Sequence, residues 1–466
     1  MGSRAASPPD WRDRAKLLQP ALLGRPAVAE HDPLFWRSPD PVAWCIRRGL
    51  VADPTQFYTQ LAKIYRLRYS AEVPWVLNPQ LSPLPTLTIE EMAQQLVVSF
   101  TEDGQSWLAV ANPCLEKAVM ERLLQQVGTG TKVVIVPHGV IKDALTYVNA
   151  SLSAPAVESG LAYAHPEHSS KLLLRRKLAL MVGGGSLLLL LSLLFWRQPT
   201  VFFFYTALNF YYFLMNPFRL YMHIAGRHVA PTVQVSNEEA RETSDDQLPY
   251  YTILVPLKEE AGVVNVLLNR LQSLEYPLEK LDIKIAVEVT DSTTLATLAE
   301  RQISCEYSHL ARPENIVFHL VKVPTGNIST KPRSCNFALK LARGVVTVIY
   351  DAEDDPDPLQ LKKAWHVLIN SKLNTLCVQA RLNFYNTKQN LLTRFFTLEY
   401  GFWFNSFLPG LQAMHIPIPL GGTSNHFLTS TLRRVGAWDP YNVTEDADLG
   451  WRLFRYKYAT LVMNSY

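Results

Sequence analysis

Val345-Val346-Thr347-Val348-Ile349-Tyr350-Asp351-Ala352-Glu353-Asp354-Asp355-Pro356-Asp357-Pro358 is the stretch that decides how this chain reads. Its first five residues are apolar or β-branched, the pattern of a short buried strand. The carboxylates that follow must be exposed at that strand's carboxyl edge, where open α/β sheets bind their ligands. Five acids in seven positions, Asp351 to Asp357, repel one another unless positive charge sits among them. A divalent cation carrying substrate phosphates would supply it, since Mg²⁺ is usually held by one or two carboxylates plus phosphate oxygens. An acidic, solvated turn capping a helix over 359–369 accounts for the same residues, because acids and prolines commonly begin helices. Both readings stand at this point.

Working outward, the same grammar repeats. A buried strand over 251–256 is followed by Lys258-Glu259-Glu260 and a helix over 263–274. A second strand, 283–289, runs into Thr290-Asp291-Ser292, and a third, 316–321, leads to a loop containing Lys331. Strand, polar loop and helix at this spacing make a mainly parallel sheet with functional residues at the strand ends. Ser329-Thr330-Lys331-Pro332-Arg333 opens another helix, whose amino end could face phosphates. Further on lie an apolar amphipathic stretch, 391–414, the small polar run Leu420-Gly421-Gly422-Thr423-Ser424-Asn425-His426-Phe427, and Thr444-Glu445-Asp446-Ala447-Asp448, which begins a helix through Tyr456.

At 466 residues the chain is long enough for two to four domains. Its net charge of +4 is mild and its Lys and Arg are scattered, so no nucleic-acid footprint is present. The five cysteines form no C-x-x-C pair, which disfavours a zinc site or a disulfide framework and fits reduced, cytosolic thiols. Residues 1–39 are broken by prolines and carry no apolar signal-peptide core.

Two apolar runs, 178–196 and 201–215, predict a transmembrane helical hairpin over 177–222, joined by a tight turn at Arg197-Gln198-Pro199-Thr200. Gly183-Gly184-Gly185 is tolerated where helices pack closely in lipid. Lys171, Arg175, Arg176 and Lys177 precede the hairpin; Arg219, His223, Arg227 and His228 follow it. Positive flanks on both sides put both soluble parts in the cytoplasm of a multi-pass inner-membrane protein. A hydrophobic hairpin buried inside a large globular domain is the alternative. Residues 153–176 and 223–249 read as linkers.

Residues 40–152 read as a small α+β domain: helices over 53–65 and 89–96, strands 97–100 and 107–111 about a turn at Gly104, then helix 114–127, strand 132–136 and helix 140–147. The phrases SWLAVANPCLEKAVMERLL and VVIVPHGVIKDAL resemble the amino-terminal domain of type II secretion and pilus ATPases. That resemblance implies a docking or regulatory domain. Some members of that family bind cyclic di-GMP through Arg-Leu-Gly-type motifs, which makes cyclic di-GMP a candidate partner; the nearest strings here, Leu22-Leu23-Gly24-Arg25 and Arg47-Arg48-Gly49-Leu50, are degenerate. No G-x-x-x-x-G-K-[ST] loop occurs, so no ATPase follows.

Six segments in order, VPLKEE, VEVTDSTT, STKPRSCNFAL, YDAEDDPDP, GGTSNHF and TEDADLGWRL, resemble a membrane-bound family 2 glycosyltransferase of the cellulose-synthase-like type across 250–466. The resemblance implies a GT-A-like mainly parallel sheet and inverting transfer of a sugar from a nucleotide-sugar donor, a UDP-sugar by family habit. The acceptor would be a glycan or a lipid-linked sugar at the cytoplasmic face of a bacterial inner membrane, in exopolysaccharide or cell-envelope glycan synthesis. By the same resemblance Asp351 and Glu353 would hold Mg²⁺ or Mn²⁺ on the diphosphate, with Asp351, Glu260 and Asp291 on the nucleotide side. Lys331 would neutralise diphosphate charge. Asp446 would be the base that takes the acceptor's proton, and Thr423, His426 and Glu445 would line the acceptor side. Plainer roles are open for several: Asp291 and Asp446 as helix or turn caps, His426 as a satisfied core histidine, Lys331 as a solvated side chain.

The chain departs from the family at Thr290, where an acid is frequent, and at Lys258, where an aromatic is common. The family's Gln-x-x-Arg-Trp string does not follow Asp446 before Tyr466. On this reading the sequence looks cut short, and a fragment, a split enzyme completed by a second chain, and a catalytically silent membrane scaffold all stay open.

Overall fold

The computed structural model describes residues 40–47, 50–51, 53–71, 87–102, 104–115, 117–172, 176–228, 233–301, 318–371 and 374–466. The strings at 22–25 and 47–50, the segment 1–39, and Arg175 in the basic flank lie wholly or partly outside them.

Along the chain the elements are α1 (Pro41–Arg47), α2 (Pro54–Tyr65), β1 (Arg68–Tyr69), α3 (Ile89–Gln95), β2 (Val97–Glu102), β3 (Gln105–Val110), α4 (Lys117–Val127), β4 (Lys132–Ile135) and α5 (His138–Ala164). Two long helices follow, α6 (Arg176–Phe195) and α7 (Arg197–His228), then the short α8 (Asn237–Glu242). The alternating part runs β5 (Tyr251–Leu257), α9 (Val264–Gln272), β6 (Leu281–Glu288), α10 (Ser292–Glu300), β7 (Phe318–Val323), α11 (Lys331–Lys340), β8 (Val346–Ile349). It continues with α12 (Gln360–Asn370), β9 (Thr375–Gln379), α13 (Leu391–Phe402), a π-helical turn (Trp403–Phe407), α14 (Leu408–Ala413), β10 (Asn425–Leu428), α15 (Thr429–Arg434), α16 (Glu445–Arg455) and β11 (Ala459–Val462).

The chain divides into two compact units, Met1–Pro155 with Thr243–Asp355, and Ala156–Glu242 with Pro356–Tyr466. In the first, β8, β5, β6 and β7 lie side by side in that order, every pair parallel: Tyr251 registers with Val346 on one side and Leu281 on the other, and Ile283 with Phe318. Ile253, Val255, Ile285, Val287, Val321 and Val348 are fully or almost fully buried, as the continuous apolar runs of parallel strands require. The order matters. From β5 the chain moves to β6 and β7 on one side, then returns to β8 on the other, so the strand order reverses between β5 and β8, and ligands bind at the carboxyl ends beside such a reversal.

The amino-terminal residues of this unit form a second sheet in the order β1-β4-β3-β2, with the expected antiparallel hairpin (Val97 opposite Val110) and β3 parallel to β4. They are joined to the residues after 243 by buried polar contacts rather than standing apart as a separate 40–152 module. Asn149 Nδ2 donates to the Phe337 carbonyl at 2.9 Å, and Thr146 Oγ1 meets His319 Nε2 at 3.2 Å.

In the second unit β9 pairs antiparallel with β10 (His426 opposite Val378) and parallel with β11 (Leu461 opposite Val378). Both expected linkers prove structured in part. Helix α5 does not stop near 147 but runs to Ala164, burying Val157, Leu161 and Ala162. Val235 and Ala240 pack with Leu359, Ala364 and Val367 of the α12 region, so 233–242 forms core rather than tether. Apolar residues scattered through a polar stretch gave that segment no readable period.

Arg197-Gln198-Pro199-Thr200 is the first turn of α7, not a loop: the single residue Trp196 separates α6 from α7, and Thr200 Oγ1 bonds back to the Trp196 and Ser192 carbonyls at 2.8 and 3.2 Å. Pro199 fits there because the first helical turn needs no intrahelical N–H. Of the two helices, α6 contains an 18-residue window, Leu178–Phe195, of mean hydropathy 2.3 with none of it buried. Helix α7 falls short of that measure because its Tyr, Asn and Arg residues are polar, although Phe202, Phe203, Phe204, Phe210 and Phe213 are exposed. Its carboxyl end packs on the π-turn and α14 so closely that a Cβ on Gly410 would collide with the Met222 backbone, and one on Gly226 with the Ser406 carbonyl.

Candidate active site

Beside the β5/β8 reversal the first unit opens a cleft of about 220 Å³, lined by Pro256 at the end of β5, Lys258 and Glu260 after it, Glu288 at the end of β6, Ser329 to Lys331 and Ser334 at the start of α11, and Asp351 and Glu353 after β8. Three strand ends and one helix start therefore converge.

The five acids of the burst have different fates. Asp351 Oδ1 lies 2.6 Å from Lys331 Nζ. Glu353 opens on the cleft beside it. Asp354 turns back to accept the Asp351 N–H at 2.8 Å. Asp355 faces Arg270 Nε at 3.7 Å, and that guanidinium also donates to the Glu353 and Asp354 carbonyls at 2.6 and 3.1 Å. Asp357 belongs to the second unit, where it binds Lys363 at 2.6 Å, Ser465 at 2.9 Å and the Leu359 N–H at 3.0 Å, the helix-opening role read as the alternative. The helix-opening reading thus holds for Asp357, while Asp351 and Glu353 face the cleft. The positive charge among the acids includes Arg270, which its place in the last turn of α9 gave no reason to single out.

The acids facing the cleft are crowded. Burial pushes the Asp351 carboxyl up despite the opposing pull of Lys331, and Glu353 adds to the rise. Burial raises Glu260 as well, with Glu353 and Asp351 adding to it. Four carboxylates, Glu260, Glu288, Asp351 and Glu353, line one cleft, two of them raised from their ordinary values, and a divalent cation's charge would relieve the crowding. Opposite them Arg333, 2 % exposed, lies 3.5 Å from Glu288 and donates to the Pro324 carbonyl at 2.7 Å, while Ser329 Oγ donates to Glu288 at 2.8 Å.

Asp291 does not line the cleft. It caps α10 through the Thr294 N–H at 3.1 Å and takes the Glu259 N–H on its other oxygen at 2.6 Å. Burial works to raise this carboxyl, but the hydrogen bonds from Glu259, Thr294 and Thr293 outweigh it and hold it low. Glu259 itself has φ of 58°, a left-handed backbone uncommon outside glycine, and the Asp291 bond pins that turn. The acid expected on the nucleotide instead shapes the loop that carries Glu260.

Asp446, Glu445, Thr423 and His426 belong to the second unit. Asp446 sits in the first turn of α16, 7 % exposed, accepting the Trp438 indole N–H at 3.1 Å. Thr444 stands at the N-cap of α16 but makes no side-chain cap bond to the helix. Glu445 and Thr423 are also largely buried. His426 is fully buried on β10, its Nε2 3.1 Å from Gln360 Oε1, and burial lowers its pKa to about 3. That is the satisfied core histidine, not a group open to an acceptor.

No protein-family model matches the chain. Among curated proteins it is similar to the Arabidopsis thaliana protein named Probable glucomannan 4-beta-mannosyltransferase 11, 22 % identical over 225 residues that cover 46 % of this chain and 48 % of the relative. It is similar also to the beta-monoglucosyldiacylglycerol synthase of Trichormus variabilis, 25 % identical over 232 residues that cover 49 % of this chain and 46 % of the relative. The chain thus matches about half the length of these relatives. Among solved structures, a mannosyltransferase of Pyrobaculum calidifontis in complex with GDP-mannose and Mn²⁺ aligns over 53 % of this chain and 61 % of its own, with 18 % identity and a TM-score of 0.38. The curated relatives the chain resembles are enzymes of glycosyl transfer.

Proposed function

We propose that this chain is an inverting, metal-assisted family 2 glycosyltransferase that moves a sugar from a nucleotide-sugar donor, a UDP-sugar by preference, to a glycan or lipid-linked acceptor at a cytoplasmic membrane face. The observation that carries this reading is the convergence of Glu260, Asp351, Glu353 and Lys331 on one cleft at the sheet's reversal point. A nucleoside diphosphate is an anion with a leaving oxygen that gains charge, and this cleft offers carboxylates for a cation and a lysine for phosphate.

Asp351 and Glu353 would hold the ion; a bound Mg²⁺ or Mn²⁺ supplies Lewis-acid neutralisation of the departing diphosphate. Lys331, released from Asp351, gives a point charge to the phosphate oxygens. Glu260 and the loop pinned by Asp291 orient the nucleoside. Asp446 takes the proton from the acceptor hydroxyl as that oxygen bonds to the anomeric carbon and the bond to the diphosphate breaks, which inverts the configuration in one displacement. The exposed apolar surfaces of α6 and α7, and of α13, where Leu391, Leu392, Phe395 and Leu398 are each at least 60 % exposed, support a membrane-bound setting.

The test is turnover. Membranes carrying the chain, supplied with Mn²⁺ and UDP-glucose, UDP-N-acetylglucosamine or GDP-mannose, are expected to release nucleoside diphosphate, and the Asp446→Asn variant to lose that activity. No release above that of membranes lacking the chain would retire the enzyme reading in favour of a silent scaffold, and equal release by both proteins would remove Asp446 as the base.

A further inference from the structure

Helix α11 joins two regions of the first unit that have no other evident reason to be linked. Its amino end builds one wall of the cleft: Lys331 pairs with Asp351, Ser334 lines the wall, and Arg333 reaches Glu288 and Pro324. The helix has no free side from Pro332 to Leu339, where every residue is buried, and it rests on β5, β6 and β7. At ten residues it is about 15 Å long, a short stiff rod.

Its carboxyl end is held by the amino-terminal part of the chain. The last four carbonyls of a helix lack intrahelical partners. One of them, that of Phe337, receives the Asn149 side-chain amide at 2.9 Å, and Asn149 is fully buried. Lys340 Nζ lies 2.7 Å from Glu90 Oε1. Glu90 is itself fixed, because it stands in the first turn of α3, which a reciprocal Thr88–Glu91 capping box locks in place. A second tie runs parallel to the first. Thr146 meets His319, His319 Nδ1 meets Lys284 Nζ at 2.9 Å, and Lys284 meets Asp282 at 2.7 Å; Asp282 also accepts the Arg343 N–H, two residues beyond Leu341.

Neither Asn149 nor Glu90 lines the cleft. A close-packed rod cannot bend to absorb a shift at one end, so displacement of its carboxyl end moves Lys331 against Asp351. We infer that Asn149 and Glu90 are positioning residues for donor binding, acting through α11 to set where Lys331 stands. The amino-terminal residues then serve the nucleotide cleft directly, and anything that docks on them can tune donor affinity. This rests on the donor-site reading of the cleft.

The experiment uses the full chain in detergent with Mn²⁺, titrated calorimetrically with UDP and with GDP, following whichever the wild type binds more tightly. Asn149→Leu is expected to raise Kd about three- to tenfold with unchanged stoichiometry, the size of effect reported for couplings carried through packed elements. Glu90→Lys is expected to raise it by a smaller factor, about twofold, and the Glu90→Lys/Lys340→Glu exchange to restore it. A merely structural role would lower the binding stoichiometry and leave Kd alone, which overturns the inference. In a Lys331→Ala background Asn149→Leu should add nothing; an additive effect overturns the coupling. Wild-type Kd in Asn149→Leu and Glu90→Lys beside a weakened Lys331→Ala overturns the coupling and leaves the donor site standing. Wild-type Kd in Lys331→Ala, or no binding of either nucleotide, overturns the donor site and the inference with it.

Discussion

Lys331 Nζ and Asp351 Oδ1 stand 2.6 Å apart, joining the first residue of α11 to the first acid after β8. Without a nucleotide this lysine offsets part of the crowding among the cleft acids. With one, the same charge is placed to meet phosphate. Replacing it with methionine keeps the length and removes the charge, so nucleoside diphosphate affinity is expected to fall about tenfold or more, the scale of a lost charged hydrogen bond. Calorimetric titration with UDP or GDP and Mn²⁺ measures it, and unchanged affinity would remove Lys331 from the donor site.

Glu260 gives a pH signature. Its carboxyl is raised by burial and by Glu353 and Asp351, so the folded protein binds its proton more readily than the unfolded chain does. Its stabilising contribution is therefore full below the ordinary carboxylate pKa and lost as pH rises through the raised value. Glu260→Gln in metal-free protein should raise Tm at pH 7 by about 1–3 °C, with the gain vanishing near pH 4. Thermal melts across that range decide it; a lower Tm at pH 7 would contradict the crowding.

His426 has the opposite sign. Its pKa is lowered to about 3, so below the unfolded value near 6.5 the unfolded chain takes up a proton that the buried imidazole refuses. Stability is complete above about pH 6.5 and declines as pH falls toward 3, by at most about 1.4 kcal/mol per pH unit. His426→Gln should flatten that part of the Tm profile while leaving nucleotide affinity unchanged. A shifted affinity would return His426 to the list of ligand-facing residues.

For Asp446 the expected outcome separates chemistry from packing. Asparagine can still accept the Trp438 indole N–H seen at 3.1 Å, so Asp446→Asn should melt within a degree or two of wild type. Turnover should drop about 10²- to 10⁴-fold, the usual worth of a general base. If both activity and Tm survive, the residue is a cap and no more.

Gly410 tests the seat of α7. A Cβ there meets the Met222 backbone, which cannot swing aside as a side-chain tip would. Gly410→Ala should cost about 1–3 kcal/mol, the range for overpacking, seen as earlier thermal unfolding in detergent. Wild-type melting would mean that the two helices separate easily.

Much of this architecture was legible in the sequence. The parallel strands of the first unit announce themselves as unbroken apolar runs, and the acids and the lysine of the cleft follow them at the strand ends. What escaped reading depends on partners distant in sequence. β9, β10 and β11 are five, four and four residues long, too short to carry a period. Arg270 looks like any solvent-facing helical arginine until the folded chain brings it to the acid burst. Asp291 has the sequence setting of a ligand acid, yet the Glu259 N–H and the start of α10 take up its oxygens. His426 sits in a glycine-rich, polar run that suggests a surface loop, while pairing with β9 turns it inward. Helix α5 outran its expected end because Ser, Ala and Pro155 hide the helical pattern beyond 147.

The Asp291–Glu259 bond has one more consequence. The loop that carries Glu260 is closed by a side chain from the neighbouring strand's end, so its shape is not encoded within the loop at all. Were β6 to slip by one residue against β5, the carboxylate would swing to the opposite face and the turn would lose its latch. Cleft and sheet must therefore be born together, and a nascent chain with its strands mispaired would hold every residue of the site and none of its geometry.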